Sequence, residues 1–317
     1  MVAKYKRLKK QLEALKKFQD IASAIRFVAG GELGILRKEI KCRFLALSSV
    51  SPFFNKQHYA QEFKTALVVP ITDDRGSCGP HNTNVLIAAN DLVLFLEDRD
   101  KSVLLYTIGK KARNMFKRFF KKYFAGFILN LKDILFSIDV SSFIFDRISK
   151  IKYDRLYLTF NRYFSINMQK ALSYIIGSPT DFLNLIMDKA NQTEKTSLFF
   201  QSIKNKFVFD SFFNDLFTFS HSLILADALQ DNRYSFLAGR FNGMDNTVRS
   251  TGDLIESLTI KYNKARQEHI TTELIEIISC KEAITVTEEG EDISLIVAQD
   301  LFDGYDSIFN SYLSTRL

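Results

Sequence analysis

The sequence predicts an α/β protein in which long N- and C-terminal helices form an antiparallel coiled coil, with an α/β domain inserted between them. Residues 4–41 and 241–284 are long, uninterrupted amphipathic stretches. In each stretch, the residues on one helical face recur about every 3.5 positions, which is the coiled-coil period. Every segment with strand character lies between these two stretches, which predicts the inserted domain. Such an arrangement indicates a mechanical or scaffolding role before it indicates an active site.

The spaced residues of the two terminal helices advance by threes and fours, which places them on one face of each helix. In the first helix they are Leu8, Leu12, Leu15, Phe18, Ile21, Ile25 and Val28, and in the second Met244, Val248, Thr251, Ile255, Leu258, Tyr262 and Ala265. We expect these two faces to form the seam of the coiled coil.

Strands and helices alternate in the middle of the chain, which predicts a mostly parallel sheet. A loop around Ser48–Lys56 follows the first helix, and a turn-rich segment at 72–80 follows the first strand. Residues 178–230 are helical or loop in character, and the C-terminal helix begins after 207. We expect strands at Ala66–Ile71, Ser102–Ile108, Ile134–Phe145, Arg155–Phe160 and within Ser165–Ile176, and helices at Asn82–Leu96 and near Lys110–Lys122.

Four regions follow from this pattern. They are an N-terminal coiled-coil helix at 1–60, an α/β domain at 61–206, a C-terminal coiled-coil helix at 207–285 and an acidic extension at 286–317. The extension changes character past Ile284, and we expect it to end in a short amphipathic helix.

Composition excludes several classes of protein. The three cysteines are far apart and the four histidines are scattered, which argues against a disulfide framework and against a metal site. The most apolar stretch, Phe124–Val140, is interrupted by Lys132 and Asp133, so we expect no membrane-spanning helix. The N-terminus lacks both a signal core and the composition of a transit peptide, which is typical of a cytosolic, processed or internally targeted chain.

The net charge of +7 is unevenly distributed. Residues 1–60 carry 13 Lys and Arg against 4 Asp and Glu, whereas residues 286–317 carry 1 Arg against 7 acids. A basic helix requires an acidic partner, which could be nucleic acid, a lipid surface or an acidic protein segment.

The strand, turn and helix at 66–96 have the layout of a phosphate-binding loop. However, the turn contains neither of the glycine-rich phosphate motifs, and Asp73 and Asp74 would repel a phosphate. A tight structural turn is therefore favoured over nucleotide binding. Cys78 could be a nucleophile, but no base is identifiable and a small buried thiol is the favoured interpretation.

Three motifs carry a family resemblance. The turn Asp73-Asp74-Arg75-Gly76-Ser77-Cys78-Gly79, followed by Asn82, resembles the SDRGLCGxxN signature of the gamma subunit of rotary F-type ATP synthases. Met244-Asp245-Asn246-Thr247 is similar to the MxNA stretch of that family. Residues 263–277, with Arg266-Gln267 and Ile270-Thr271 in register, resemble its NxxRQxxITxELxEI signature. Ile25-Arg26-Phe27-Val28-Ala29 stands more loosely where the family has MxMVA.

The resemblance implies a curved antiparallel coiled coil with a Rossmann-like foot domain that binds no dinucleotide. It implies a rotor shaft inside the hexamer of alpha and beta subunits, with its foot on the membrane ring and delta/epsilon-type stalk subunits beside it. Nucleotide chemistry would then belong to the alpha and beta chains. We accordingly expect no cofactor, no metal and no catalytic residue in this chain.

The resemblance also implies residue roles. Arg266 and Gln267 would hydrogen-bond a loop of a beta subunit, because the guanidinium offers a fork of donors that lysine lacks. The alternative for Arg266 is an ordinary surface position on a long helix. The remaining expected beta-subunit contacts are Ile25, Lys9, Lys10, Lys16, Lys17, Lys261 and Lys264, and the expected structural turn consists of Asp74, Arg75, Gly76 and Gly79.

The chain departs from the family pattern at several points. Gly30, Gly31 and Gly34 replace an alanine-rich run and predict a kink or pause, since each glycine costs about 1 kcal/mol relative to alanine in a helix. Ile25 replaces a methionine, and the extension past Ile284 is not typical of the family. The insertion with paired regulatory cysteines known from chloroplast members is absent.

Two other functions remain open. A coiled-coil adaptor could bind nucleic acid or an acidic membrane through its basic N-terminal helix, although the lysines share that helix with a seam, which favours a protein partner. A small α/β enzyme would need a polar site near the 73–80 loop. For location we expect the matrix side of the mitochondrial inner membrane, with the cytoplasmic face of a bacterial plasma membrane as the alternative.

Overall fold

The computed structural model describes residues 2–50, 62–131, 138–179, 181–182 and 206–287. Internal contacts divide the chain into two compact units. Unit 1 comprises residues 1–15 and 254–317, and unit 2 comprises residues 16–253. The predicted amphipathic helix of the extension lies outside the described residues.

The described residues form five α-helices, one short 3₁₀-helix and five strands. In chain order these are α1 (Val2–Val50), β1 (Thr65–Pro70), α2 (His81–Glu97), β2 (Ser102–Ile108), α3 (Lys110–Phe119), the 3₁₀-helix (Lys121–Tyr123), β3 (Phe124–Ile128), α4 (Ile138–Ser149), β4 (Arg155–Tyr163), β5 (Gln169–Ile176) and α5 (Lys206–Thr287).

The five strands form one sheet in unit 2, in the order β3-β2-β1-β4-β5. All pairings are parallel except that of β5 with β4, which is antiparallel. Strand β1 is central, and its run of five buried residues is typical of a parallel strand covered on both faces. The mostly parallel α/β sheet predicted from the sequence is thus confirmed.

Side chains of β1 point alternately to the two faces of the sheet, and they contribute to a separate hydrophobic core on each face. Leu67 and Val69 point to the face packed by α4 and the first part of α5, whereas Ala66 and Val68 point to the face packed by α2 and α3. All four side chains are fully buried. The sheet therefore has a helical layer on each face.

Helices α1 and α5 run antiparallel within unit 2. Gln19 Nε2 donates to the Val248 carbonyl at 3.2 Å, and Arg26 Nη1 donates to Asp245 Oδ1 at 2.6 Å. Further along α1, the ring of Phe241 lies over Gly30. Residues later in α1 thus contact residues earlier in α5, as antiparallel helices do.

Aromatic side chains join the two terminal helices within unit 1. The ring of Tyr5 stacks on that of Tyr262 at 5.2 Å between centroids, and the two hydroxyls lie 3.1 Å apart. The ring of His269 meets the Tyr5 ring edge-on at 5.5 Å.

A polar cluster attaches the antiparallel edge of the sheet to α5. Arg162 Nη1 on β4 donates to the Tyr174 hydroxyl on β5, and this hydroxyl donates to Asp227 Oδ2 on α5 at 3.2 Å. Arg162 Nε lies 3.7 Å from Asp231 Oδ2, one helical turn further along α5. Both aspartates are buried. Burial raises the pKa of the Tyr174 hydroxyl, and the negative charge of Asp227 adds to that rise.

The predicted strand at Ile134–Phe145 is wrong, because residues 138–149 form helix α4. The inward-facing residues Ser141, Ile144, Phe145 and Ile148 occupy positions i, i+3, i+4 and i+7, which is the spacing of a helix rather than of a strand. Apolar and polar side chains alternate over residues 136–141, and this strand-like pattern conceals the helical period.

Strand β3 was not predicted from the sequence. It is a five-residue edge strand that follows a basic segment and contains Gly126, all of which weaken a strand pattern. The glycine is required here, because a Cβ atom would lie 2.6 Å from the ring of Tyr106 on β2.

Helix α1 does not pause at its glycines, since it continues through Gly30, Gly31 and Gly34 to Val50. It covers the start of the loop expected at 48–56, and residues 51–56 lie outside the described part. At Gly30 the missing side chain allows close approach of Phe241, 3.3 Å from the position that a Cβ would occupy. Packing thus offsets the low helix propensity of glycine at this position.

The predicted seam of α1 is only partly correct. Leu8, Leu12 and Leu15 are half-buried in unit 1, as expected. In unit 2 the most buried residues of α1 are Ala22 and Ala29, while Phe18, Ile21 and Val28 are more than half exposed. All seven predicted seam residues of α5 are half or fully buried.

Candidate partner-binding surface and the turn after β1

The turn that follows β1 is closed by its own side chains. Asp73 N donates to Asn82 Oδ1 at 3.0 Å, and Arg75 N donates to Asp73 Oδ1 at 2.8 Å. Asn82 Nδ2 donates in turn to the Arg75 carbonyl at 3.2 Å. These bonds hold the turn against the N-terminal end of α2.

A second set of bonds fastens the same turn to the end of β2 and the start of α3. Lys110 N donates to Asp74 Oδ1 at 2.7 Å, and Ala112 N donates to Thr72 Oγ1 at 3.0 Å. Side-chain oxygens thus occupy amides at the start of α3, the kind of donor that a phosphate loop presents to its ligand. The hydrogen bonds of these backbone amides are therefore made within the protein.

The turn lies directly against α5. A Cβ on Gly239 would come within 2.6 Å of the Cys78 carbonyl oxygen, and one on Gly243 would lie 3.3 Å from the backbone nitrogen of Gly79. Gly79 itself has a φ of 57°, a left-handed conformation that glycine adopts at little cost. Glycines on both sides therefore permit the backbone of the turn to touch the helix.

The four residues of the predicted structural turn occupy different environments. Arg75 Nε lies 3.6 Å from Asp73 Oδ1, and its guanidinium lies 4.9 Å from the centre of the Phe236 ring on α5. Asp74 caps α3 and Gly79 contacts α5, as described above. Gly76 faces open space, where a Cβ would meet no atom within 4 Å.

Cys78 and His81 are buried beside the turn. Burial raises the pKa of the Cys78 thiol, whose Sγ accepts from Asn82 Nδ2 at 3.3 Å. Burial lowers the pKa of His81 to about 3, and its Nδ1 lies 3.0 Å from Asn161 Nδ2. A thiol held in its neutral form is a poor nucleophile.

A cavity of about 30 Å³ remains at the carboxyl ends of β1 and β2. Its lining includes Asp73, Asp74, Gly109 and, from α5, Leu229 and Asn232. A volume of this size has room for about two or three water molecules, since one water needs about 10–15 Å³ on the same measure. Residues of α5 line this crevice, the place where open α/β sheets commonly bind ligands.

The predicted beta-subunit contacts are divided between the two units. Unit 1 contains Lys9, Lys10, Lys261, Lys264, Arg266 and Gln267, and unit 2 contains Lys16, Lys17 and Ile25. All six lysines and Gln267 are exposed, whereas Arg266 and Ile25 are half-buried. Arg266 Nε is buried and has no hydrogen-bond partner among the described residues.

Exposed apolar residues on the two terminal helices were not predicted as site residues. In unit 2 they include Phe18, Ile21, Phe27, Val28 and Ile35, and Phe27 is 83% exposed. In unit 1 they include Leu274, Ile275, Ile277 and Ile278 on the last turns of α5. Large exposed apolar patches mark interaction sites. The apolar character of these residues is visible in the sequence, but Phe18, Ile21 and Val28 fall on the predicted seam of the coiled coil.

The family model described as ATP synthase matches residues 1–284. The ATP synthase gamma chain of Bartonella bacilliformis is 32% identical over 228 residues, which cover 69% of this chain and 74% of that protein. The mitochondrial ATP synthase subunit gamma of Trypanosoma brucei brucei is 25% identical over 293 residues, which cover 90% of this chain and 93% of that protein.

The fold is also found in a solved structure. A chain from the cryo-EM structure of the Euglena gracilis mitochondrial ATP synthase superposes with a TM-score of 0.76 and 21% identity, over 93% of this chain and 99% of that one. At this level of identity the likeness shows the fold, which confirms the predicted arrangement. Taken with the family match and the gamma chains among its relatives, it leads to one conclusion: the chain belongs to the gamma-chain family of ATP synthases.

Proposed function

We propose that this chain is the central rotor shaft of a mitochondrial ATP synthase. It couples proton-driven rotation of the membrane ring to the conformational cycling of the catalytic beta subunits. The observation that carries this proposal is the family match, which includes both terminal helices and the domain between them. Gamma chains are non-catalytic stalk subunits, so the chemistry belongs to other subunits of the complex.

The partners follow from the same assignment. The Euglena structure is described as containing OSCP, F1 and the c-ring, and another from the same complex as the rotor. The chain would accordingly meet the alpha and beta subunits, the membrane ring and delta/epsilon-type stalk subunits. The comparisons give no support to the nucleic-acid adaptor.

The mitochondrial location rests on the relatives from Trypanosoma brucei brucei and Arabidopsis thaliana, which are named as mitochondrial. The matrix side of the inner membrane is the finer proposal. Bacterial relatives support the alternative, the cytoplasmic face of a plasma membrane. None of the helices in the described ranges combines the length and the apolar character that a bilayer crossing requires.

Contact with the beta subunits would combine exposed lysines with the fork of Arg266. Lys9, Lys10, Lys16 and Lys17 on α1 and Lys261 and Lys264 on α5 carry their charges in solvent, where attraction to acidic loops is weak and screened. Weak contacts suit a surface that must be released and re-formed at each turn. Arg266 and Gln267 would supply the directed hydrogen bonds.

Purification of the native complex in mild detergent tests the assignment. Mass spectrometry should find the chain at one copy per alpha-beta hexamer together with ring subunits. Crosslinks from residues 286–317 would identify the partner of the acidic extension. Migration of the chain alone or with nucleic acid would overturn the proposal.

Substitution of Arg266 by lysine tests the beta-subunit contact. Arg266→Lys keeps the charge but loses the planar fork, and we expect coupled ATP synthesis to fall about tenfold, the cost of one charged hydrogen bond. Arg249→Lys is the matched control, since Arg249 is exposed on the same helix and pairs within it with Asp245 at 2.9 Å. Equal effects of the two substitutions would contradict the assigned contact.

A further inference from the structure

A dense group of cations lies on α3 and on the 3₁₀-helix that follows it. Residues 101–131 contain no Asp or Glu. Within them, α3 and the following 3₁₀-helix carry seven cations, which we call the foot basic patch. Its members are Lys110, Lys111, Arg113, Lys117, Arg118, Lys121 and Lys122.

The fold directs the charges of the foot basic patch outward. Ala112 and Phe116 on the opposite face of α3 are fully buried in the core beneath the sheet. Six of the seven cations are exposed and Arg113 is half-buried. No member of the patch forms an ion pair with another described residue. The charge is therefore available to an external partner.

Two carboxylates bond to the segment that carries the patch. Asp74 accepts a hydrogen bond from the backbone of Lys110, and the Glu97 side chain bonds the Tyr123 hydroxyl at the far end. Neither carboxylate is paired with a side chain of the patch. The field above the patch is consequently positive over α3 and the 3₁₀-helix.

Two exposed aromatic side chains accompany the cations. Phe119 is 67% exposed and Phe127 on β3 is 42% exposed. The guanidinium of Arg113 lies 4.5 Å from the centre of the Phe127 ring. Aromatic rings beside lysines are typical of proteins that adsorb at the boundary between lipid headgroups and acyl chains.

The chemistry of the cations suits a lipid partner. Five of the seven cations are lysines, whose compact charge does not need the paired geometry that an arginine offers to a carboxylate. A fluid anionic lipid surface attracts each lysine through its charge alone, so no fixed geometry is needed. We propose that the foot basic patch binds the anionic phosphate headgroups of a lipid membrane, with Phe119 and Phe127 inserted at its surface.

Vesicle binding by the full-length chain tests the proposal. The chain should sediment with vesicles of phosphatidylcholine mixed with phosphatidylglycerol, and much less with vesicles of phosphatidylcholine alone. We expect Lys117→Glu/Lys121→Glu to weaken binding about tenfold or more, because each basic residue near an anionic surface contributes severalfold. Lys150→Glu/Lys152→Glu is the matched control, since it makes the same change of charge on the same domain and should have a small effect.

Phe119→Ser separates insertion from general attraction. It should weaken vesicle binding while leaving retention on a cation-exchange column unchanged. Equal losses in the two lysine variants, equal binding to neutral vesicles, or binding to an acidic peptide or RNA but not to vesicles would overturn the proposal. The assay needs only the isolated chain, so its failure would leave the rotor assignment intact.

Discussion

At the scale of the residue, the turn after β1 explains why small and short polar side chains occur in its signature. The side chain of Asn82 accepts a hydrogen bond from the Asp73 amide and donates to the Arg75 carbonyl and the Cys78 sulfur. Gly79 and Gly239 admit the contact between the turn and α5. The signature thus packs the turn between the sheet and the long helix α5.

Gly239→Ala should destabilise unit 2. The new methyl group would lie 2.6 Å from the Cys78 carbonyl oxygen, so the helix or the turn must move. We expect the free energy of unfolding to fall by about 1 to 3 kcal/mol, the usual cost of overpacking, as measured by urea denaturation. Gly31→Ala is the control with the opposite sign, because a Cβ there meets no atom within 4 Å and alanine favours the helix. A stable Gly239→Ala chain would show that the turn is loosely held.

The two buried histidines should make stability depend on pH. Burial lowers the pKa of His81 to about 3 and that of His221 to about 4, whereas both titrate near 6.5 when unfolded. Below pH 6.5 the unfolded chain therefore takes up protons that the folded chain does not. The stability contribution is complete above that pH and is lost as the pH falls towards 4.

We expect each histidine to lower the free energy of unfolding by about 1.4 kcal/mol between pH 7.5 and about pH 5.5. His221→Gln should reduce this pH dependence by about half, whatever its effect on stability at neutral pH. Urea denaturation of both chains at the two pH values provides the measurement. An unchanged dependence in the variant would mean that His221 is protonated in the folded state.

At the scale of the element, the attachment of β4 and β5 to α5 depends on polar groups. Arg162 and Tyr174 on the strands meet Asp227 and Asp231, which lie one turn apart on the helix. Breaking a buried pair from one side leaves the remaining charge without compensation. This cluster should therefore resist sliding of the helix along the sheet.

A double-mutant cycle of Arg162→Met and Asp231→Asn should give a coupling energy of about 1 to 2 kcal/mol. Hydrogen exchange should become faster in β5 when either partner is changed. Lys150→Met with Asp146→Asn is the matched cycle on an exposed ion pair, whose atoms lie 3.9 Å apart. Exposed pairs of this kind couple by about 0.2 to 1 kcal/mol. Equal coupling energies in the two cycles would show that the cluster stabilises the protein no more than an exposed ion pair does.

Periodicity and propensity determined how much of the fold could be predicted from the sequence. Ser102–Ile108 is a strand at the predicted bounds, because turn residues flank a continuous apolar run. The pattern predicts a strand where α4 lies, because residues 136–141 alternate apolar and polar side chains as a strand does. The buried positions of α1 in unit 2 are Ala22 and Ala29, which a sequence pattern based on large apolar residues does not single out.

The site could be predicted less fully than the fold. The sequence predicts a turn that contains Asp74, Arg75, Gly76 and Gly79 from local chemistry alone, since Asp and Gly are turn formers. The contact of that turn with Gly239 could not, because it joins residues that are remote in sequence and depends on the docking of α5. The contacts of Arg266 and of the exposed lysines depend on other chains and stay predictions.

At the scale of the whole molecule, charge should govern how the chain meets its hexamer. Lys9→Gln/Lys10→Gln should slow association with purified alpha-beta hexamers severalfold at low salt, because attraction between exposed charges accelerates encounter. The difference should vanish near 1 M salt, where the screening length is about 3 Å. Stopped-flow light scattering gives both rates.

Lys150→Gln/Lys152→Gln removes the same number of charges from the foot domain and serves as the comparison. Its association rate should equal that of the unmodified chain at every salt concentration. A low-salt association rate for Lys9→Gln/Lys10→Gln equal to that of the unmodified chain would show that these lysines take no part in encounter.

The apolar residues left open on α1, including Phe18, Phe27 and Ile35, have a consequence for the cell as well as for the assembly. A chain made in excess of its partners displays these side chains to every chaperone and protease that recognises apolar segments. Its abundance should therefore follow the supply of hexamers rather than its own rate of synthesis. Depletion of the alpha or beta subunit should shorten its half-life, so that subunit stoichiometry is set by degradation of the orphaned chain.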